Sequence, residues 1–402
     1  MKIELKNLDF KKDVILPENI SEINNHIFSI CNKLPALNIL SNKNLLNYNI
    51  DFVKKFMNGK KHFVVFGTGG SNLGARALIN INNKRNNISF FDNIDPIFFE
   101  KSFNNIDFNS TGFIVISKSG TTPETLSQFG SIIEVASNND NLKTLFSNTL
   151  VITEFSNSPL FNIAKKNKCL LLEHNKNIGG RYSVFTNVGL VPAIIAGLNV
   201  EEIYKGAFET FNDHQNYDFL KIGQIFKYQS KLNLNNNVIM TYSDSLYYFG
   251  KWYLQLWAES IGKNNKGITA IHSIGTTDQH SQLQLYLEGP RDKFFTFVTT
   301  DHKNKGLTIN NDIFKDQNFK YFKDKKMGDL MQAEQMATLE TFNINNFKFR
   351  EINLNLINEK NIGSLMTGCI IETIASCVYF EVDPFNQPAV EQGKKLTKKY
   401  LS

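Results

Sequence analysis

One glutamate lies at a position where the predicted helix disfavours an ionised carboxylate. Residues 250–263 read GKWYLQLWAESIGK, which predicts a helix that ends just before Gly262. Glu259 falls in the last turn of that helix, where apolar neighbours and the negative end of the helix dipole both disfavour the ionised form. One interpretation is that the carboxylate faces solvent. The other is that Glu259 is a general base, because such surroundings favour proton transfer near neutral pH.

A second stretch has the composition of an anion-binding loop. Residues 117–125 read SKSGTTPET and follow an apolar strand pattern directly. Pro123 suits the first helical turn, and Thr121 with Glu124 fits a capping box. Because a helix N-terminus offers free amides and a positive dipole end, hydroxyl donors there favour a phosphate. The donors are Ser117, Ser119, Thr121 and Thr122, and Lys118 adds charge. The alternative is a capped helix whose hydroxyls face water.

Two glycine-rich stretches are further candidates for contact with a ligand. Residues 67–75 read GTGGSNLGA and join an apolar strand to a helix, so backbone amides could approach a ligand closely. The spacing is neither the dinucleotide fingerprint nor the Walker phosphate loop, and a simple tight turn is an equal alternative. Residues 178–183 read IGGRYS and place Arg181 after two glycines. Its guanidinium could enter a cleft, or it could be a surface arginine.

The remaining candidates are a histidine and the carboxyl-terminal stretch. Residues 276–290 read TTDQHSQLQLYLEGP, which places His280 in the predicted first turn of a short helix. That position disfavours imidazolium, so a neutral His280 could exchange protons. A structural histidine is the alternative. Residues 383–400 contain Gln387 and Lys394 before a run of lysines, and a basic surface helix is the alternative there.

The elements that must position these residues alternate between strands and helices. Apolar strand patterns occur within 62–79, 112–136, 149–155, 169–174, 237–244 and 294–300. This alternation predicts parallel sheets with crossover helices, in two α/β lobes that can each host a ligand at the carboxyl ends of its strands. The expected domains are an N-terminal segment of helices and loops (1–58), a first lobe (59–232), a second lobe (233–382) and a C-terminal helix at the active site (383–402).

Composition narrows the class of protein. The chain has 402 residues, 20% of them charged, and a net charge of +6 that is spread along the sequence. This charge suits an anionic small substrate but provides no basic stripe for nucleic acid. Four widely spaced cysteines predict neither a metal site nor a disulfide framework. The charged first residues do not resemble a secretory signal, and the apolar run 188–200 is too short to span a bilayer. We therefore expect a cytoplasmic protein without a membrane partner.

Taken together, the ordered motifs resemble the glucose-6-phosphate isomerase family from residue 62 to about residue 399. They are GTGGSNLGA, SKSGTTPET, GGRYS, WAESIGK, TDQHSQLQLYLEGP and DPFNQPAVEQGKK. The resemblance implies two sugar-isomerase (SIS-type) αβα sandwich lobes with parallel sheets, a homodimer, and neither metal nor cofactor. The family's substrate-binding positions fall on Gly69, Gly70, Ser71, Ser117, Lys118, Ser119, Thr122 and Gln387, and its catalytic positions on Arg181, Glu259, His280 and Lys394. Ser119 stands where many members have threonine, which keeps the hydroxyl.

The chemistry implied by the resemblance is an aldose–ketose isomerisation of a sugar phosphate. Glu259 would move a proton between C2 and C1, and Arg181 would offset the charge of the enediolate. His280, reaching the site from the neighbouring subunit, and Lys394 would open the sugar ring. Two rivals stay open: an isomerase that also accepts mannose 6-phosphate, and a non-catalytic sugar-phosphate sensor. A dehydrogenase is disfavoured, because no G-x-G-x-x-G follows a strand.

Overall fold

The structure, a computed structural model, describes residues 1–10, 12–14, 16–81, 87–213, 218–310 and 317–402. Within them the strands form two five-stranded sheets. The strands are β1 (Lys2–Lys6), β2 (His62–Phe66), β3 (Ile88–Phe91), β4 (Thr111–Ile116), β5 (Thr149–Thr153), β6 (Leu170–Glu173), β7 (Asn236–Thr241), β8 (Thr269–Ile274), β9 (Lys293–Thr299) and β10 (Phe349–Asn353). The first sheet has the order β3-β2-β4-β5-β6, and the second has the order β1-β10-β9-β7-β8.

Helices connect the strands and cover the sheets. They are α1 (Ile20–Lys33), α2 (Pro35–Asn38), α3 (Lys43–Met57), α4 (Leu73–Ile79), α5 (Pro96–Phe103), α6 (Pro123–Asn138), α7 (Leu142–Ser147), α8 (Pro159–Lys166), α9 (Asn187–Ile195), α10 (Val200–Asn212), α11 (Leu220–Lys227), α12 (Gln229–Leu232), α13 (Tyr247–Ile261), α14 (Leu283–Glu288), α15 (Met327–Ile344), α16 (Glu359–Phe380) and α17 (Glu391–Leu401). Several begin with a proline in the first turn, as α6 and α8 do.

The first sheet is parallel and buried on both faces. Along β4, which is buried throughout, Ile114 and Ile116 enter one core, while Phe113 and Val115 enter another on the opposite face. Both faces are apolar because parallel strands joined by crossover helices are covered on both sides. This lobe is therefore the αβα sandwich that the alternation of strands and helices predicts.

The second sheet is parallel apart from its edge strand β1, has apolar side chains on both faces, and shares a core with the first. Along β9, Phe295 and Phe297 pack in a cluster with Phe342 of α15. Phe294 and Val298 face the other way, into the large core that also holds residues of the first lobe. Helix α13 packs against both α4 and α16 inside this shared core, so side chains of the second lobe can reach the loops of the first.

One feature of the sequence interpretation needs correction. Segment 1–58 is not only helices and loops, because β1 pairs antiparallel with β10 at the edge of the second sheet. This strand also makes the second sheet mixed, where a parallel sheet was expected.

Helix α16 is the one helix among the described residues that is long and apolar enough to cross a membrane by length and composition alone. Its apolar window is 89% buried inside the protein. It also carries Glu372, which is paired with the buried Arg350. These contacts identify α16 as a core helix of the fold.

Candidate active site

The glycine turn after β2 lies directly on the loop that carries the predicted arginine. Gly69, Gly70 and Ser71 form one 3-10 turn, in which Gly69 has φ +54°. A Cβ atom on Gly70 would lie 2.2 Å from the carbonyl carbon of Gly180. Only glycine allows this approach of two backbones. The close contact brings the loop of Arg181 to the glycine turn.

Arg181 is buried, with 3% of its side chain exposed, so the surface-arginine alternative is wrong. All three of its guanidinium nitrogens donate to protein oxygens. Nε donates to Ser260 Oγ (2.8 Å), Nη1 to Gln387 Oε1 (2.9 Å) and Glu259 Oε2 (3.4 Å), and Nη2 to the carbonyl oxygens of Pro384 and Asn386. The guanidinium therefore joins the end of α13 to the segment that precedes α17.

Glu259 lies in the last turn of α13, as the helix pattern predicts. Its Oε1 accepts from Gln255 Nε2 at 2.9 Å, its Oε2 faces Arg181, and 31% of its side chain is exposed. The expectation that apolar neighbours enclose the carboxylate is wrong, because Trp252 and Trp257 are buried in the core while Glu259 has polar contacts. The carboxylate is thus held by an amide and a cation and is still open to a ligand.

Three further residues of the site were not singled out from the sequence. Gln255 lies one turn before Glu259 and donates to it, and its Oε1 is buried without a hydrogen-bond partner among the described residues. Ser260 accepts from Arg181 and is also bonded to the Tyr182 hydroxyl at 3.0 Å. Burial raises the pKa of Tyr182 above its usual 10, which keeps the hydroxyl protonated as a donor. Helical spacing from Glu259 was the signal that could have identified Gln255.

The predicted phosphate loop joins β4 to α6. Ser117 Oγ and Thr122 Oγ1 are 2.8 Å apart, as are Ser119 Oγ and Thr121 Oγ1, and Gly120 has φ +64°. The predicted capping box is wrong, because Thr122 is the N-cap residue and its side chain caps no amide. The first amides of α6 therefore have no capping side chain, as an anion site at a helix start requires.

Lys118 belongs to this loop but faces an acid. Its Nζ lies 3.8 Å from Glu154 Oε1, and both side chains are partly exposed. At this distance and exposure the pair contributes little, so the ammonium can turn to an anion at low cost.

His280 and Lys394 are not in contact with Glu259 in the described part of the chain. His280 ends a one-turn 3-10 helix (Thr277–His280), whereas the sequence predicts it in the first turn of a short helix; its side chain is exposed. Lys394 is exposed on α17 and forms an ion pair with Glu391 at 2.7 Å. No residue of α17 is buried. Gln387, in contrast, accepts a hydrogen bond from Arg181 Nη1 at 2.9 Å.

The site lies between the two lobes. β2 and β4 are neighbouring parallel strands, so the glycine turn and the phosphate loop leave the same edge of the first sheet. Helix α13 follows β7 of the second sheet and brings Gln255 to within 2.9 Å of a Cβ position on Gly69. A carboxylate beside a fixed cation, together with a hydroxyl-rich loop that leaves the same sheet edge as the glycine turn, would suit proton transfer on an anionic substrate.

Known proteins with similar sequences indicate a family for this chain. The family model for phosphoglucose isomerase matches residues 51–402. The glucose-6-phosphate isomerase of Methanocaldococcus jannaschii is 35% identical over 352 residues, which cover 85% of this chain and 84% of that protein. The glucose-6-phosphate isomerase of Campylobacter jejuni is 32% identical and covers 89% of each chain.

Solved structures give the same fold. A hypothetical protein from Thermus thermophilus superposes with a TM-score of 0.86 at 25% identity and covers 100% of both chains. A glucose-6-phosphate isomerase from Chlamydia trachomatis superposes with a TM-score of 0.75 at 20% identity, covering 98% of this chain and 76% of that one. With its family match extending over residues 51–402, the chain belongs to the phosphoglucose isomerase family.

Proposed function

We propose that the chain interconverts glucose 6-phosphate and fructose 6-phosphate through an enediolate, a reaction that serves glycolysis and gluconeogenesis. The observation that carries this proposal is the Glu259 carboxylate, held by Gln255 and Arg181 at the inter-lobe site. The test is the conversion of fructose 6-phosphate to glucose 6-phosphate by the purified chain, with metal chelated. A protein that binds the sugar phosphate but forms no product would be a sensor instead.

In the proposed mechanism Glu259 takes the proton from C2 of the open-chain aldose. The electron pair left at C2 forms the C1–C2 double bond and moves the carbonyl electrons onto O1. Glu259 then returns its proton to C1, while a proton passes from O2 to O1, which leaves the carbonyl at C2. Because every nitrogen of Arg181 is already engaged by the protein, we infer that this residue offsets the enediolate through its charge.

Phosphate binding is assigned to the loop after β4. Ser117, Lys118, Ser119 and Thr122 would hold the phosphate at the start of α6, so that binding energy remote from C1 and C2 positions the reacting carbons. Gly69, Gly70 and Ser71 would face the sugar.

Thr122→Ala should raise KM by about tenfold, because one hydrogen bond to a charged group is lost. We expect kcat to fall less, since the base and the cation lie on other elements. Steady-state kinetics measure both constants. Thr341→Ala is the matched control, because the hydroxyl of this partly exposed threonine of α15 donates to the carbonyl oxygen of Ala337 in its own helix. An unchanged KM in a folded Thr122→Ala protein would remove this loop from the phosphate site.

Ring opening is assigned to His280 and Lys394. Acid–base work on the ring oxygen and the C1 hydroxyl needs both groups at the sugar, yet both are exposed and neither contacts Glu259 within the described chain. We therefore propose a homodimer in which His280 enters the site of the neighbouring subunit. An exposed histidine is compatible with this role, because a partner can reach it.

Subunit complementation tests the shared site. Glu259→Gln and His280→Ala, each inactive alone, are unfolded together and refolded. Random pairing makes about half of the dimers mixed, and each mixed dimer has one intact site out of two, so roughly a quarter of wild-type activity should return. Each variant refolded alone sets the background. If dimers form efficiently and no activity returns, His280 acts in its own subunit.

A further inference from the structure

The last turn of α13 carries two site residues whose carbonyl groups lie beyond the regular hydrogen-bond pattern of the helix. Glu259 and Ser260 lie there, and the helix ends at Ile261. The amide of Lys263 bonds the carbonyl oxygen of Ile261 at 2.9 Å, so it does not continue the helical pattern back to Glu259. The carbonyl groups at a helix C-terminus lack intrahelical partners and carry the negative end of the dipole.

Lys263 supplies the missing donors. Its Nζ donates to the carbonyl oxygen of Glu259 at 2.9 Å and also to that of Ser260. The backbone aims the side chain there through a tight turn, in which Asn264 and Asn265 both have positive φ, 54° and 55°, and Lys266 closes back onto Lys263. A cation on the last carbonyls both satisfies them and compensates the dipole.

We propose that Lys263 is a positioning residue for the base: it fixes the last turn of α13 and thereby sets the carboxylate of Glu259 against Arg181. This inference rests on the proposed isomerase function and deepens it. It also accounts for an acid at the negative end of a helix, because an ammonium group lies on that end. Ser260 transmits the same constraint, since its hydroxyl holds Arg181 Nε at 2.8 Å.

The surroundings of Lys263 support a specific role. Partial burial lowers its pKa from the ordinary 10.5, and the nearby Arg181 acts in the same direction. The charged and titratable groups that face it are Arg181, Glu259, Cys377 and Asp383. Its two contacts with carbonyl oxygens of the last turn of α13 distinguish Lys263 from a lysine surrounded by solvent.

The test compares Lys263→Met with Lys263→Arg. Methionine keeps the length but removes donors and charge, so kcat should fall about ten- to a hundredfold through misplacement of the base. KM should change by less than about threefold, because the phosphate loop lies on the first lobe. Arginine restores donors and charge and should recover most of kcat. Lys266→Met is the matched control, because the side chain of this neighbouring lysine forms an exposed ion pair with Glu381 and its backbone bonds to Lys263 are kept in the variant.

A Lys263→Met enzyme that folds and keeps wild-type kcat overturns the proposal, as does a Lys263→Arg enzyme as slow as the methionine variant. If Lys263→Met does not fold, Lys263→Gln, which keeps a donor without the charge, is measured in its place. Hydrogen–deuterium exchange of residues 257–266 should be faster in the methionine variant than in Lys266→Met. This readout needs no activity, so an inactive wild-type protein would refute the isomerase function while exchange still tests the positioning role.

Discussion

Glu259→Gln should lower kcat at least about a thousandfold, at the upper reach of what removal of a general base costs. The amide cannot take the proton from C2. Its one oxygen can still accept from Arg181, and its amide nitrogen can donate to Gln255 once the Gln255 amide turns to present its oxygen. The side chain is partly exposed, and the buried Arg181 keeps its bonds to Ser260, Gln387 and two backbone carbonyl oxygens, so we expect the thermal unfolding midpoint to fall by no more than about five degrees.

Two measurements separate loss of the base from loss of the site. Sugar-phosphate binding by calorimetry should persist in Glu259→Gln, because the phosphate loop is untouched. Glu381→Gln is the matched control, since Glu381 is an exposed glutamate whose ion pair is with Lys266. It should turn over like wild type. Near-normal kcat in a folded Glu259→Gln protein would assign the proton transfer to another group.

Five of the six strands that sequence patterns predicted are largely buried, and the sixth, β6, is an edge strand that still reads as an apolar run. β4 and β5 are wholly buried and read as uninterrupted apolar runs. Four strands were missed: β1, β3, β8 and β10. β1, β3 and β8 lie at sheet edges, where one side of the strand has no neighbouring strand and polar residues are tolerated. β10 lies inside the second sheet but contains Arg350, whose charge is compensated by a residue 22 positions away.

The arrangement of the candidate site was predictable where it depends on local pattern and not where it depends on distant contacts. The place of Glu259 in the last turn of its helix, and of residues 117–122 between a strand and a helix, followed from the sequence. The burial of Arg181 was not predictable, because its partners Ser260 and Gln387 lie 79 and 206 positions away. The role of Lys263 was hidden for a different reason: its partners are backbone oxygens, which leave no trace in the sequence.

Glu372→Gln should lower the free energy of unfolding by about 3–5 kcal/mol, the cost of leaving a buried charge without its partner. Glu372 is fully buried in α16 and accepts from Arg350 Nη1 at 2.6 Å and from the Tyr253 hydroxyl at 2.8 Å. Arg350 also donates to Thr296 of β9, and Tyr253 accepts from Asn237 of β7. The network thus joins α13 and α16 to three strands of the second sheet.

A surface pair on the same helix provides the matched control. Lys360 of α16 and Glu209 of α10 form an ion pair at 2.7 Å with both side chains partly exposed. Glu209→Gln removes the same charge in the same way, yet it should cost no more than about 1 kcal/mol. Urea unfolding midpoints of the two variants, measured beside wild type, give the comparison.

The double variant Arg350→Met with Glu372→Leu tests the reason for the effect. If the loss in Glu372→Gln comes from an uncompensated guanidinium, removing both charges should recover part of the stability, because an apolar pair of similar volume can replace a buried ion pair. If the double variant is as unstable as the sum of the two single variants, the charge is not the cause, and packing around α16 is. Tyr253 lies six positions before Glu259 on α13, so any variant that keeps the fold but shifts this helix should also lower kcat.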